Sequence, residues 1–370
     1  MKLSGLKILD LSQYLPGPYL TLAMADHGAE VVKIEPPSGD PTRAIGLSDG
    51  PDSVLFRCLN RGKKSVVLDL KTDAGREALL RLAETADVFV ESFRPGVVDR
   101  LGVGYKAVRA RNPRIVYCSI SAFGQDGPYR DRPAHDLAVE AISGLIGMNL
   151  GRDGQPALPA VPIADLLAAL NGLAGVMMAL WRRERTGLGD HLDIGLHDAA
   201  LAALPNILGP TLAENRQPVA RHGRTTGGAA FYQVYDTSDG RQIALAGQEM
   251  KFVRDLLGAF GRPDLAALCE AGPGPHQAPV EAFLRETFAS ITLEDCESRL
   301  AALDVCFGPV NSLPEALEDA NVKARGMVIL DPEGRRHLAS PIRFLAEPAA
   351  PGLAAPKLGQ HTAELVGAGP

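Results

Sequence analysis

The sequence predicts an α/β fold with a parallel sheet, and three of its properties carry that prediction. Short apolar runs alternate with amphipathic, helix-forming stretches in the N-terminal part of the chain, which is the pattern of successive β-α-β units. The chain has 370 residues, more than a typical domain, so two compact units are expected. Hydrophobic residues make up 46% of the chain and charged residues 22%, which is ordinary globular usage.

The first predicted β-α-β unit lies at the N-terminus. Leu6–Leu11 (LKILDL) predicts a strand, the amphipathic stretch Pro18–Gly28 predicts a helix, and Glu30–Ile34 (EVVKI) predicts a second strand. The turn after the first strand reads SQYLPGPY and lacks the glycine fingerprint of dinucleotide-binding folds. Neither NAD nor FAD is therefore expected.

The same alternation continues along the chain. Ser65–Leu70, Asp87–Glu91 and Arg114–Ser121 predict further strands, and Thr72–Ala86 predicts a helix between the first two. Because each strand is followed by a helical crossover, the strands are expected to lie parallel in one sheet.

The middle of the chain predicts a long helix and then a second unit. Residues 163–183 form an Ala-rich and Leu-rich apolar segment, typical of a core helix or a subunit contact. Residues 204–228 turn to Pro, Asn, Arg and Gly, which indicates a linker. A hairpin around Ser238-Asp239-Gly240 then begins a second unit that continues in helical stretches.

Charge and composition exclude several classes of function. The net charge of -6 and the pI near 5.8 leave no basic face for nucleic acid. No uninterrupted apolar stretch reaches the roughly 18 residues of a bilayer span, and the start lacks a secretory signal. We therefore expect a cytoplasmic protein without membrane contact. His191 and His197 have no further ligands at metal spacing, so no metal site is expected.

Two short segments carry the candidate chemistry. His135 and Asp136 follow a Pro-containing turn at the start of a helix-forming run, and Asp165 opens the long apolar helix. The histidine also fits a buried core position, and Asp165 also fits a helix cap that complements the helix dipole. Spacing alone does not bring the three residues together.

Motifs across nearly the whole chain resemble one known family. They include GLKILDLSQYLPGPYLTLAMADHGAEVVKIEPPSGD, NRGKKSVVLDLKT, VFVESFRPGVVDRLGVGY, NPRIVYCSISAFGQDGPYRDRPAHD, ALWRRERTGLGDHLDIGLHDA and GPVNSLPEALEDANVKARGM. These segments are similar to the family III coenzyme A transferases (CaiB/BaiF type), a superfamily that also contains α-methylacyl-CoA racemase.

The resemblance implies a fold and an assembly. It implies a Rossmann-like large domain and a smaller α+β domain. It also implies a homodimer in which two ring-shaped chains interlock. On that basis we divide the chain into a first part of the CoA-binding large domain at 1–203, a linker at 204–228, the small domain at 229–312, and a linker with the C-terminal return to the large domain at 313–370.

The resemblance also assigns roles to the candidate residues. Transferases of the family use an aspartate, at the position of Asp165, that attacks the acyl-CoA thioester and passes through an aspartyl-CoA thioester. Racemases use the aspartate as an acid or base, and add a histidine at the position of His135. They also carry a glutamate, here Glu249, that orients this histidine. Asp136 is expected to hydrogen-bond Asp165 or its surroundings and to share the proton of Asp165. The sequence supports equally well that Asp136 only accepts a hydrogen bond within its own turn.

Racemisation is the leading hypothesis from the sequence. A proton must leave one face of the thioester α-carbon and return on the other, which requires two groups such as His135 and Asp165. The expected substrate is a 2-methylacyl-CoA or a related branched acyl-CoA. CoA transfer between carboxylic acids through Asp165 is the alternative, and a CoA-binding scaffold without activity is a third reading.

CoA is expected as part of the substrate, with no permanently bound cofactor. The resemblance places the nucleotide on the large domain, at Leu15, Pro16, Leu68, Lys71, Ser92, Phe93, Arg94, Arg100 and Leu101. Cations such as Lys71 and Arg94 suit phosphate groups. Pro36 stands where members of the family sometimes carry a basic residue. Arg61, Lys63 or Lys64 is therefore expected to add phosphate contacts, unless the three form a solvated face.

Overall fold

The computed structural model describes residues 1–367, so the last three residues of the predicted C-terminal return lie outside the described residues. The chain forms two compact units. The first comprises Met1–Leu145, Pro159–Ala203 and the described residues from Ala320 onward, and the second comprises Ile146–Leu158 and Leu204–Asp319. The segment Ile146–Leu158 thus joins the second unit, although the sequence places it within the stretch predicted for the large domain.

A six-stranded parallel sheet forms the centre of the first unit, which confirms the α/β prediction. Its strands are β1 (Lys7–Asp10), β2 (Glu30–Glu35), β3 (Lys64–Val67), β4 (Val88–Glu91), β5 (Val116–Ser121) and β6 (His191–Gly195). They lie side by side in the order β3-β2-β1-β4-β5-β6. In this Rossmann-type order the connections run to opposite sides from β1 and β4, and a crevice opens where these two strands end.

Helices cover both faces of this sheet. They are α1 (Pro16–Asp26), α2 (Val54–Asn60), α3 (Asp73–Ala83), α4 (Val97–Arg100), α5 (Tyr105–Arg111), α6 (Asp136–Ile142), α8 (Ile163–Thr186) and α9 (Leu196–Ala202). The short helix α7 (Leu145–Met148) begins at Leu145 and continues into the second unit. One apolar cluster joins α1, α8 and α9 to the sheet, and a second joins α3 and α5 to the other face. Strands buried on both faces explain the continuous apolar runs of the sequence.

The predicted strand at Ser65–Leu70 is shorter than expected. β3 ends at Val67, and the chain turns at Asp69, whose carboxylate accepts the backbone N–H of Lys71. Thr72 then caps α3 by accepting the N–H of Gly75. The polar turn residues therefore override the apolar alternation that continues to Leu70.

Helix α8 is long and apolar enough to cross a membrane, judged by length and composition alone. Soluble core helices pass the same test, so this property alone is weak support for a membrane span. α8 packs on α1, β5 and β6, and buries Ala164, Ala168, Gly172 and Val176. These small residues allow the helix to approach the sheet closely.

The second unit contains a small antiparallel sheet with helices. Its elements are α10 (Gly209–Glu214), β7 (Gln233–Asp236), β8 (Gln242–Leu245), α11 (Met250–Ala259), α12 (Ala266–Glu270), α13 (Ala278–Ala289), α14 (Leu293–Ala301), β9 (Phe307–Pro309) and α15 (Leu313–Glu318). The strand order is β7-β8-β9. Apolar residues of the strands and of α11 to α14 form one core.

The chain then returns to the first unit. The returning elements are α16 (Ala320–Ala324), the hairpin β10 (Val328–Leu330) and β11 (Arg336–Leu338), and α17 (Thr362–Val366). The C-terminal segment binds along the outer edge of β3. The N–H of Ser65 donates to His361 Nδ1 at 3.1 Å, and the N–H of Val67 donates to Thr362 Oγ1 at 3.0 Å. The C-terminal segment therefore covers one edge of the parallel sheet.

Candidate active site

His135 and Asp136 begin helix α6. His135 is the residue before the helix, in an extended conformation, and its carbonyl accepts the N–H of Ala138 at 3.0 Å. Its side chain is exposed. Asp136 is the first residue of the helix and is partly buried. The imidazole of His135 therefore faces solvent, whereas the carboxyl of Asp136 faces the protein.

Helix α6 supplies the cap for helix α8. The residue before α8 is Pro162, which offers no side-chain cap. Asp136 Oδ1 instead accepts the N–H of Asp165 at 3.1 Å, and Glu140 Oε1 accepts the N–H of Ile163 at 2.9 Å. Free N–H groups in the first turn of a helix require such partners when they are buried. The structure therefore brings Asp136 and Asp165 together and adds Glu140 to the site.

Asp165 lies in a poorly solvated, acidic environment. Burial, and then electrostatic interaction with the neighbouring carboxyls of Asp136 and Glu140, raise its pKa to about 7. Burial also raises the pKa of Glu140, and its hydrogen bond with Asp136 acts in the same direction. A carboxyl with a pKa near 7 is present in both forms at neutral pH, so Asp165 is suited to act as a nucleophile or as an acid and base.

Tyr14 links the first turn of the sheet to His135. The two rings pack edge to face, with their centroids 6.0 Å apart. Tyr14 has a φ of 63°, a left-handed conformation that is uncommon for a bulky residue and is found mostly at functional turns. The turn that precedes Leu15 and Pro16 thus lies beside the candidate catalytic histidine.

The residues expected to bind CoA follow the carboxyl ends of the strands. Leu15 and Pro16 start α1 after β1, and Ser92 begins the turn after β4. These two turns flank the crevice between β1 and β4, and Ser92 Oγ joins them by accepting the N–H of Gln13 at 3.0 Å. Phe93 and Arg94 follow in the same turn.

The remaining predicted CoA residues follow β4 and β3 in the chain, and one of them, Leu68, is buried in the core. Arg100 ends α4 and Leu101 follows it, while Leu68 and Lys71 follow β3. Lys71 and Arg100, like Arg94, are exposed and form no ion pair with any residue in 1–367. Exposed, unpaired cations at this edge are available to phosphate groups.

The structure corrects the expectation for Arg61 and Lys63. Arg61 is 2% exposed and pairs with Asp26, at 2.9 Å between Nη2 and Oδ2. Lys63 is 4% exposed, and its Nζ donates to Asp10 Oδ2 at 3.0 Å. Both cations are used inside the fold, so they are not available to a nucleotide. Lys64 is partly exposed, and pairs with Glu30 and Glu364.

Glu249 lies in the second unit, where it is exposed and directly precedes helix α11. Its predicted hydrogen bond to His135 stays a prediction. Among residues 1–367, no group of three or more His, Cys, Asp or Glu side chains is arranged to hold a metal ion.

Two residues of the site were missed by sequence reasoning, Glu140 and Tyr14. Glu140 had a usable signal, because it lies four residues after Asp136 and therefore on the same helix face. Tyr14 had none, since its left-handed backbone is set by the packing of the turn.

Comparisons with known proteins now identify the family. The family model described as CoA-transferase family III matches residues 3–362. The succinate–glutarate CoA-transferase of Agrobacterium fabrum is 33% identical, over 98% of this chain and 94% of its own length. The acetyl-CoA:oxalate CoA-transferase of Acetobacter aceti is 39% identical over 71% of this chain and 67% of its own. A crystal structure of a CAIB/BAIF family protein from Brucella suis covers 98% of both chains, with 33% identity and a TM-score of 0.86. The chain is a member of CoA-transferase family III.

Proposed function

We propose that this enzyme transfers CoA between carboxylic acids through Asp165. The observation that carries the proposal is the environment of Asp165, a partly buried carboxyl in the first turn of α8 with a pKa near 7. Similar proteins named as CoA-transferases span nearly the whole chain. They favour the transferase alternative over the racemase that the sequence analysis ranked first.

The reaction is a sequence of acyl exchanges on one side chain. An Asp165 carboxylate oxygen attacks the thioester carbonyl, the C–S bond breaks, and CoA leaves as a thiolate from a mixed anhydride. The thiolate attacks the Asp165 carbonyl of the anhydride, which releases the first acid and leaves an aspartyl-CoA thioester. A second carboxylate then repeats both steps in reverse order, and restores Asp165.

The raised pKa of Asp165 serves this chemistry in two ways. A more basic carboxylate is a better nucleophile, and burial removes the water that would hydrolyse an anhydride. The helix N-terminus adds N–H groups that favour the anion once it forms.

The substrates we propose are short acids that include a dicarboxylic acid. The relatives in the comparisons are named for succinate and glutarate, for succinyl-CoA and mesaconate, and for acetyl-CoA and oxalate. The CoA part lies at the crevice between β1 and β4 and extends toward β3, because the exposed cations Arg94 and Arg100 follow β4 and Lys71 follows β3.

Racemisation stays the second candidate because of one observation. His135 directly precedes Asp136 in the element that caps Asp165, and an imidazole near that carboxyl would provide the second proton carrier for a 2-methylacyl-CoA. Glu249 would orient the imidazole in that mechanism.

We also propose an interlocked homodimer in the cytoplasm. The support in this chain is an apolar stripe on α8, where Leu170, Met178 and Trp181 are 50%, 70% and 66% exposed. Large apolar side chains grouped on one helix mark an interaction surface. Light scattering coupled to size exclusion would measure the mass, and a monomer at micromolar concentration would contradict this assembly.

One experiment separates the two reactions. The enzyme is incubated with an acyl-CoA and a panel of dicarboxylic acids, and hydroxylamine is added to trap an acylated Asp165 for mass spectrometry. A parallel sample receives a chiral 2-methylacyl-CoA in deuterated water without an acid. CoA transfer and a hydroxamate at Asp165, absent in Asp165→Asn and present in the exposed first-turn control Asp73→Asn, support the transferase. Deuterium at the α-carbon without transfer overturns it.

A further inference from the structure

Glu140 is the most deeply buried carboxyl of the site, with a side chain that is 0% exposed. It lies one helical turn after Asp136, so both carboxyls face helix α8 from the same side of α6. No part of the transfer mechanism above uses it. A carboxyl that is fully buried beside two others requires a physical account.

The two oxygens of Glu140 have different surroundings. Oε1 accepts the N–H of Ile163 at 2.9 Å, which fixes the start of α8. Oε2 is buried and receives no hydrogen bond from any donor within residues 1–367. The carboxyl lies within hydrogen-bonding reach of Asp136, which is itself an acceptor for the N–H of Asp165. Two acceptors in contact are satisfied only when a proton lies between them.

Within residues 1–367, no lysine or arginine forms an ion pair with Asp136, Glu140 or Asp165. The arginines of α8 lie near its C-terminal end, about 25 Å from Asp165 along the axis. The elements packed most closely against α6 and α8 contain no lysine or arginine. Their titratable side chains are Tyr19 and Asp26 on α1, Tyr117 and Cys118 on β5, His191 and Asp193 on β6, and His197 and Asp198 on α9. On the side of α6, His135 directly precedes the helix and is a further titratable group.

We propose that Glu140 is a positioning residue that keeps its proton at neutral pH and donates it from Oε2 to Asp136. Only one negative charge then faces Asp165, while Glu140 Oε1 and Asp136 Oδ1 remain free to hold the first turn of α8. The functional meaning of this arrangement rests on the proposed role of Asp165. The retained proton itself does not depend on that role.

The proposal requires a particular dependence of stability on pH. Glu140 has a pKa raised above its ordinary 4.5, with burial as the first cause and Asp136 as the second. A group of this kind stabilises the fold below its unfolded pKa, and that contribution is lost as the pH rises through the folded pKa. Glu140→Gln removes this loss, because glutamine keeps an acceptor for Ile163 and a fixed N–H donor for Asp136.

Thermal unfolding of the wild type, Glu140→Gln and Glu286→Gln between pH 4.5 and 9 tests the proposal. Glu286 is an exposed glutamate of α13, and serves as the matched control. We expect the difference in Tm between Glu140→Gln and the wild type to increase by about 2 °C or more from pH 4.5 to 9. The corresponding difference for Glu286→Gln should not change with pH. A constant or decreasing difference overturns the proposal, as does a Glu140→Gln protein that does not fold.

Transfer assays over the same pH range separate this proposal from the proposed function. Wild-type activity should decline at alkaline pH as Glu140 ionises, and Glu140→Gln should keep its activity there. Identical alkaline declines in the two proteins contradict the role of Glu140. Absence of transfer in all variants, together with the expected trend in Tm, contradicts the transferase and leaves the retained proton in place.

Discussion

The carboxylate of Asp136 accepts the backbone N–H of Asp165 at 3.1 Å, so one candidate catalytic residue fixes the backbone of the other. The same contact places a negative charge beside the Asp165 carboxyl, and contributes to the rise of its pKa to about 7. Asp136 therefore fixes the backbone of Asp165 and also adds to the effect of burial on its pKa.

Asp165→Asn should abolish CoA transfer, with a loss of at least about 1000-fold, because an amide is not a nucleophile of comparable strength. The same variant should gain stability relative to the wild type as the pH rises from 4 to 8. A pKa raised from 3.8 to about 7 corresponds to at most about 4 kcal/mol, and partial solvation reduces this. Unfolding in urea across this pH range measures the difference, and a wild type that becomes relatively more stable at pH 8 would contradict it.

Asp136→Asn should shift the acidic limb of the pH profile of kcat/KM. Asparagine keeps an oxygen for the N–H of Asp165, but removes the nearest negative charge, so the pKa of Asp165 falls and its carboxylate persists to lower pH. We expect a shift of about 1 pH unit toward acid. The exposed Asp131→Asn serves as the control. An unchanged limb would mean that the charge of Asp136 does not help to set the pKa of Asp165.

Arg94→Ala and Arg100→Ala should raise the KM for acyl-CoA about 5- to 30-fold, with little change in kcat. Each substitution removes a cation that we propose makes a charge-assisted contact to phosphate. Arg254→Ala, an exposed arginine of the second unit, is the control. Steady-state kinetics at two salt concentrations provide the measurement, and a large loss in kcat without a change in KM would place these arginines elsewhere in the reaction.

Lys63→Met should destabilise the protein by about 3 to 5 kcal/mol, because it leaves Asp10 buried without its partner. Burial alone would raise the pKa of Asp10, but Lys63 and Lys33 lower it to about 2. Stability from this carboxylate is present above its ordinary pKa of 3.8, and is lost as the pH falls toward 2. Denaturant unfolding at pH 7 measures the loss. A change below about 1 kcal/mol would show that the interior tolerates the lone carboxylate.

The parallel sheet could be predicted from the sequence because its signal is local. β1, α1 and β2 appear as one apolar and amphipathic alternation, and the long apolar helix α8 is recognisable from composition. Boundaries were less accurate where a side chain bonds to the backbone. β3 ends three residues before the end of its apolar pattern, at the turn formed by Asp69.

The site could be predicted only in part, because long-range contacts leave no local trace. His135 and Asp165 were chosen by resemblance, whereas the contact between α6 and α8 that adds Glu140 depends on the packing of the two helices. Arg61 and Lys63 failed as predicted phosphate ligands for a related reason. Their partners Asp26 and Asp10 lie far away in sequence, so the ion pairs could not be predicted from the local pattern. Arg61 and Lys63 appear in the sequence as part of a solvated basic cluster, but both are buried in the structure.

The covering of β3 by the C-terminal segment has a consequence for biosynthesis. Thr362 reaches Val67 only after the entire second unit has left the ribosome, so the sheet emerges with one edge open. Translation from residue 203 to residue 362 takes roughly 10 to 30 s at typical rates. Nascent chains therefore expose a strand edge for many seconds, and we expect chaperone capacity to limit the yield of soluble protein more than the final stability does.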